Sequence, residues 1–161
     1  MPRRSARRVG PVNGSSLAES APSPPQFDDP ESVSDLYLAA YVLVNIEGQW
    51  MPAQHAVAQL GAIHVLTAWN PGLERPGSAA NHAANEALRQ LLESEGCNPI
   101  PALGGDPNSD HTEESWCVTG LSDSRAREIG ARFGQWAVFR ITSSAQTVLG
   151  CHGEWERSRA V

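Results

Sequence analysis

A chain of 161 residues fits one domain of ordinary size, and 40% hydrophobic with 19% charged residues fits a packed core rather than disorder throughout. Four arginines against Glu19 alone give residues 1–26 a charge of +3, which leaves −9 of the net −6 on the remainder; an acidic body argues against tight nucleic-acid binding, which draws on phosphate neutralisation. All twelve basic residues are arginine, so Schiff-base and phosphate-loop lysines are excluded, and no apolar run approaches the ~20 residues of a membrane span.

The chain opens with Arg3, Arg4, Arg7 and Arg8 and then with Gly10, Pro11, Gly14, Pro22, Pro24 and Pro25. Residues 1–31 have too few apolar groups to offset the entropy of ordering and read as a disordered basic leader. No hydrophobic stretch follows the arginines, so no secretory signal is expected and the protein reads as cytoplasmic. Cys97, Cys117 and Cys151 are odd in number and widely spaced, which is neither a disulfide framework nor a zinc pattern.

From residue 32 a single domain is expected to run to 151. A short helix after Pro30 would use Ser32 or Ser34 as cap and turn Leu36, Ala39 and Ala40 inward. Tyr41 to Ile46 alternates as a strand and Glu47-Gly48 turns it; residues 49–61 are ambiguous, with a short helix suggested around Gln54 to Gln59. Ala62 to Trp69 is nearly continuous apolar sequence, the mark of a strand buried on both faces, and Asn70-Pro71-Gly72 stops it. Ser78 would cap a helix running to about Glu95, closed by Gly96. Asn98 to Leu103 carries Pro99 and Pro101 and so reads as an edge or irregular strand. After a polar loop over 104–112 come a strand from Glu114 to Thr119, a helix begun by Ser122 and Asp123, and a strand from Trp136 to Ile141. Ser143-Ser144 turns that strand into a last one over 146–151, and residues 152–161 read as a polar tail. The order β-α-β-β-α-β predicts an α+β two-layer sandwich with a ferredoxin-like core, an extra N-terminal helix and strand, and a C-terminal hairpin strand.

The helix after Ser78 carries the most informative pattern. At 100° per residue, Asn81 and Asn85 share the inward side with Leu88 and Leu92. Two buried amides need partners, since an unsatisfied one costs roughly 1–3 kcal/mol. Either they clamp a neighbouring loop such as Asn70-Pro71-Gly72, or they line a pocket at the helix N-terminus, where free N–H groups favour an anion or carboxylate. Thr67, Asn70, Ser115 and Gln135 are placed near the same end as further ligand-binding candidates, and Glu114 as a general base. Glu113 and Glu114 are adjacent on a strand, point to opposite faces and are no catalytic pair. Asp106 to Asp110 begins like a calcium loop, but His111 and Cys117 stand where glycine and glutamate are required. The histidines form no ligand spacing, so neither a metal nor a cofactor is expected.

Leu66-Thr67-Ala68-Trp69-Asn70-Pro71, Asn81-x-x-x-Asn85-x-x-Leu88, Glu114-Ser115 and Phe133-Gly134-Gln135-x-Ala137-Val138 together resemble a bacterial family catalogued as domain of unknown function 3293. The resemblance covers about residues 36–141 and departs between 48 and 61, where the family usually has a longer segment. It implies a shared fold and a shared polar constellation, and no activity. Three functional readings stay open. The first is a domain binding a small polar or anionic ligand through Asn70, Asn81, Asn85, Glu114 and Gln135. The second is a hydrolase or transferase with Glu114 as base. The third is an interaction module docking through the arginine leader or Trp155.

Overall fold

A computed structural model describes residues 30–72 and 74–161, so the expected disorder of the leader falls outside the described residues except at Pro30 and Glu31, which open a helix. The elements in chain order are α1 (Pro30–Ala39), β1 (Tyr41–Ile46), β2 (Gln49–Pro52), α2 (Ala53–Leu60), β3 (Ile63–Leu66), α3 (Ser78–Ser94), β4 (Ile100–Gly105), β5 (Thr112–Val118), α4 (Asp123–Arg132), β6 (Ala137–Ile141), β7 (Ala145–Gly150) and β8 (Glu156–Ala160). All eight strands pair antiparallel in one curled sheet, in the order β2-β1-β4-β5-β3-β6-β7-β8.

Local chemistry explains most of these elements. Glu47 and Gly48 both take positive φ (50° and 87°), the mirror-image turn that suits a two-residue hairpin, and Asn45 Oδ1 accepts the Gly48 N–H at 2.8 Å. All four residues of β3 are buried, which fits its unbroken apolar sequence. Ser122 caps α4 by accepting the Arg125 N–H at 3.2 Å. The cap of α3 is Gly77 and not Ser78, which is already helical, and Gly96 follows the helix with φ of 82°. Ser32 and Ser34 likewise lie inside α1, which begins at Pro30; proline loses nothing at a first helical position.

The core divides by strand parity. Ile63, Val65 and Ile141 join Val42, Val44, Ala53, Ala56 and Val57 on the face covered by α2. Leu66, Val118 and Val138 join Leu88, Leu92, Ala126 and Ile129 on the face covered by α3 and α4. Leu88 and Leu92 are fully buried there, worth about 1.5–3 kcal/mol each. Helices therefore cover both faces of the sheet, and the expected two-layer arrangement is corrected. α1 packs with its Tyr37 ring 6.0 Å from Phe139, while Leu36, expected to face inward, is 75% exposed and Ala39 is also exposed. Gln146, fully buried on β7, donates to the Ala40 carbonyl at 3.0 Å and so ties down the end of α1.

Two further expectations fail for definable reasons. β4 is no edge strand, because it lies between β1 and β5. Its pairing with β1 ends at Ala102, so Pro101 sits beyond the stretch where both neighbours need its amide, and Pro99 precedes the strand altogether. Residues 152–161 are no mere tail: β8 pairs with β7 from Leu149↔Glu156 to Ala145↔Ala160, yet every one of its residues is exposed.

Candidate functional site

Beyond Leu66 the chain leaves the sheet and must satisfy its backbone groups without strand partners. Three buried amide side chains do this for three successive residues. Asn85 Oδ1 accepts the Ala68 N–H at 3.2 Å, Gln135 Nε2 donates to the Trp69 carbonyl at 3.0 Å, and Asn81 Oδ1 accepts the Asn70 N–H at 3.0 Å. Asn81 Nδ2 also donates to Asn70 Oδ1 at 2.9 Å, so the two asparagines bind each other reciprocally. Asn70 has φ of 46°, a left-handed backbone that asparagine tolerates better than most residues. Thr67 completes the turn, donating to the Glu114 carbonyl at 2.7 Å and accepting the Trp69 N–H at 3.0 Å. Asn81, Asn85 and Thr67 therefore hold the loop.

The loop end rests on Gly134. The Gly72 N–H donates to the Gly134 carbonyl at 2.9 Å, and a Cβ at Gly134 would stand 2.8 Å from Pro71 Cβ at a φ of 71°. Gly134→Ala is expected to cost about 1–3 kcal/mol from strain and overlap together, read as a lower urea midpoint with an unchanged slope. A midpoint equal to the parent's would refute this packing.

A pocket of about 350 Å³ opens where the loop, α1, β6 and the β4–β5 turn meet. Asn70, Glu113 and Gln135 supply its polar floor and Tyr37, Trp136 and Phe139 its aromatic walls. It contains no residue of α3, and parity explains why. Along β5, Glu113, Ser115 and Cys117 share one face of the sheet, and Glu114 and Trp116 share the other. Cys117 belongs to the core cluster under α2, and Trp116 packs with the cluster under α3 and donates to the Asn85 carbonyl at 2.9 Å. The pocket lies on the first side. The helix N-terminus expected to bind an anion therefore does not line it and reaches it only through Asn81, which bonds to Asn70.

Glu113 is the most engaged residue of the floor. Its Oε1 accepts from Asn70 Nδ2 at 3.1 Å and meets His111 Nε2 at 3.1 Å; its Oε2 has no partner among the described residues. Gln135 is 4% exposed and spends its Nε2 on the Trp69 and Phe133 carbonyls, which leaves Oε1 without a partner among the described residues. Burial first, and the Glu113 charge second, raise the Tyr37 pKa well above its ordinary value, so the phenol stays protonated.

Of the residues expected at a site, Asn70 and Gln135 line this pocket. Ser115 is buried and donates to the Glu113 carbonyl at 3.2 Å, so it supports the floor from within the strand. Glu114 lies apart, half-exposed with Oε2 3.0 Å from His82 Nδ1 on the outer side of α3. Sequence reasoning passed over Glu113, His111 and Tyr37, although the opposite facing of Glu113 and Glu114 already carried the choice between the two carboxylates. Cys117 is fully buried and its thiol is pushed up to about 12 by burial, which is unsuited to a thiolate nucleophile. Among the described residues no three His, Cys, Asp or Glu side chains converge for a metal, and no helix is long and apolar enough to cross a membrane.

Fold and site define an α+β domain built on one antiparallel sheet, with an aromatic-walled polar pocket at the strand ends. Residues 66–138 match the family described as protein of unknown function (DUF3293). The match begins at the last residue of β3 and ends in β6, so it includes the three clamping amides, the loop they hold and both glutamates of β5. No curated protein and no solved structure matches the chain.

Proposed function

We propose that this domain binds a small polar ligand in the pocket floored by Asn70, Glu113 and Gln135. The supporting observation is Gln135, whose side chain is 4% exposed yet keeps an acceptor oxygen without a partner among the described residues at a pocket wall. That oxygen is not closed off from solvent, so on an otherwise buried side chain it opens to the cavity, where a donor of a bound molecule can reach it. The volume of about 350 Å³ suits a molecule of one or two rings. We also read residues 63–141 as a ferredoxin-like split, supported by the strand order β4-β5-β3-β6 with α3 and α4 as crossovers. The free cysteines favour a cytoplasmic setting.

The test is a nuclear magnetic resonance titration of the full chain with nucleosides, amines, sugars and carboxylates. At least one class is expected to shift the Trp136 indole and the Asn70 and Gln135 side-chain amides together. The proposal falls if no compound moves these three signals. An enzymatic reading is favoured by one observation, the 3.1 Å contact between Glu113 Oε1 and His111 Nε2, a couple able to take up and pass on a proton. Glu113 would then replace Glu114 as the general base. The interaction reading has less support, since Trp155 lies folded over Gly150, where a Cβ would come within 2.2 Å of the indole.

A further inference from the structure

We infer that the ligand is a flat compound presenting N–H donors, of the amidinium, guanidinium or amino-heterocycle class; this rests on the pocket being a binding site. The two open atoms of the floor, Glu113 Oε2 and Gln135 Oε1, are both acceptors, so the complementary edge must donate. The charges around the pocket agree. Arg75 stands exposed at the rim and gives its NH1 to the Glu74 carbonyl at 2.8 Å. Asp106 spends Oδ1 on the Asn108 N–H at 2.8 Å within its own turn, and His111 is engaged with Glu113. Those backbone bonds leave the formal charges in place, so the lining carries Arg75 against Asp106 and Glu113, a balance that is negative and favours cations, with the free oxygen of Glu113 on the floor.

The body of the ligand is set by the walls. Tyr37 and Phe139 lie tilted at 48° with ring centroids 6.0 Å apart, and Trp136 adds a third aromatic side chain. Such walls suit a planar ring and strengthen its hold on a cation. Gly104 points the same way. Its φ is not in the left-handed region, and a Cβ there would meet nothing nearer than Ser115 Oγ at 4.0 Å, so neither conformation nor internal packing requires glycine. It lines the pocket, and a bare strand position facing a cavity lets a ligand approach the backbone.

Benzamidine, benzamide and benzoate share one shape and differ in charge and donors, so calorimetric titration of the full chain with each separates the possibilities. Benzamidine is expected to bind at least about tenfold tighter than either relative, the worth of one charge-assisted hydrogen bond. Glu113→Gln should bring the three affinities close together, and Gly104→Val, whose Cβ enters the pocket with no neighbour nearer than 4.0 Å, should weaken all three. Benzoate or benzamide binding as tightly as benzamidine, with Gly104→Val still weakening them, overturns the donor class while the pocket stands. Binding that survives Gly104→Val unchanged lies elsewhere and counts against both. Silence from all three probes while a carboxylate or sugar shifts the Trp136 indole overturns the donor class alone.

Discussion

Asn81→Ala is expected to destabilise the domain by about 2–4 kcal/mol, because it strips two groups of Asn70 at once. The Asn70 N–H and Oδ1 both bond to this one side chain, which is 3% exposed, so water cannot readily take its place. The left-handed backbone at Asn70 persists only while its surroundings enforce it. On a chain of this length the loss appears as a fall of roughly 5–15 °C in Tm. Asn81→Asp separates the two bonds: it keeps an acceptor for the Asn70 N–H but sets a carboxylate against Asn70 Oδ1. Protonation restores the missing donor, so the folded-state pKa of the new carboxyl is raised. Its stability should therefore be greatest below the ordinary carboxylate range and fall as pH rises through that raised value. Guanidinium unfolding of both variants checks this. A Tm for Asn81→Ala within about 1 °C of the parent's would show that the loop does not depend on the clamp.

The same asparagine shows how far a sequence can be read. Its inward direction is legible, because Asn81, Asn85, Leu88 and Leu92 recur at helical spacing and all four are buried. Its partner is legible only as one of two alternatives, the Asn70-Pro71-Gly72 loop or a pocket at the helix N-terminus, and the bonds from Asn81 to Asn70 decide for the loop. β1 emerges from sequence at its true bounds and α4 at its true start, whereas β3 ends at Leu66, three residues short of the apolar run that marks it. β8 does not emerge, because an edge strand of Glu-Arg-Ser-Arg-Ala exposed along its whole length carries no alternation. The prolines of β4 mislead because the penalty for proline depends on which amide lacks a partner, and that is fixed by the register with β1. Glu114, the expected base, stands one residue from the pocket-lining Glu113, which in a strand is one whole face away. The pocket itself was beyond reach for a like reason: α1, β4, β5 and β6 meet there from distant parts of the chain, and which face of the sheet α1 would cover is decided by packing rather than by any motif.

Asp123→Ala is expected to cost about 2–3 kcal/mol, well above the usual loss from a surface ion pair, because this carboxylate serves partners the fold has already withdrawn from water. His64 on β3 is 5% exposed, and its Nε2 lies 2.8 Å from Asp123 Oδ1; Arg140, its register partner on β6, reaches Asp123 Oδ2. Asp123 also sits in the first turn of α4, where a negative charge adds a few tenths of a kcal/mol. Burial alone would raise its pKa, but the His64 hydrogen bond and the Arg140 charge outweigh it and hold the carboxyl below its ordinary value. A depressed folded-state pKa contributes stability above the unfolded value, near 3.8, and surrenders it as pH falls through the folded one. The parent should accordingly lose stability on acidification below about pH 4, and Asp123→Asn should follow a flatter curve there while already weaker at neutral pH. Urea midpoints measured across that range decide the matter. Curves of equal slope for parent and Asp123→Asn would mean that the carboxylate gains nothing from His64 and Arg140, and the joint between α4 and the centre of the sheet would then rest on the packing of Ala126, Ile129 and Gly130.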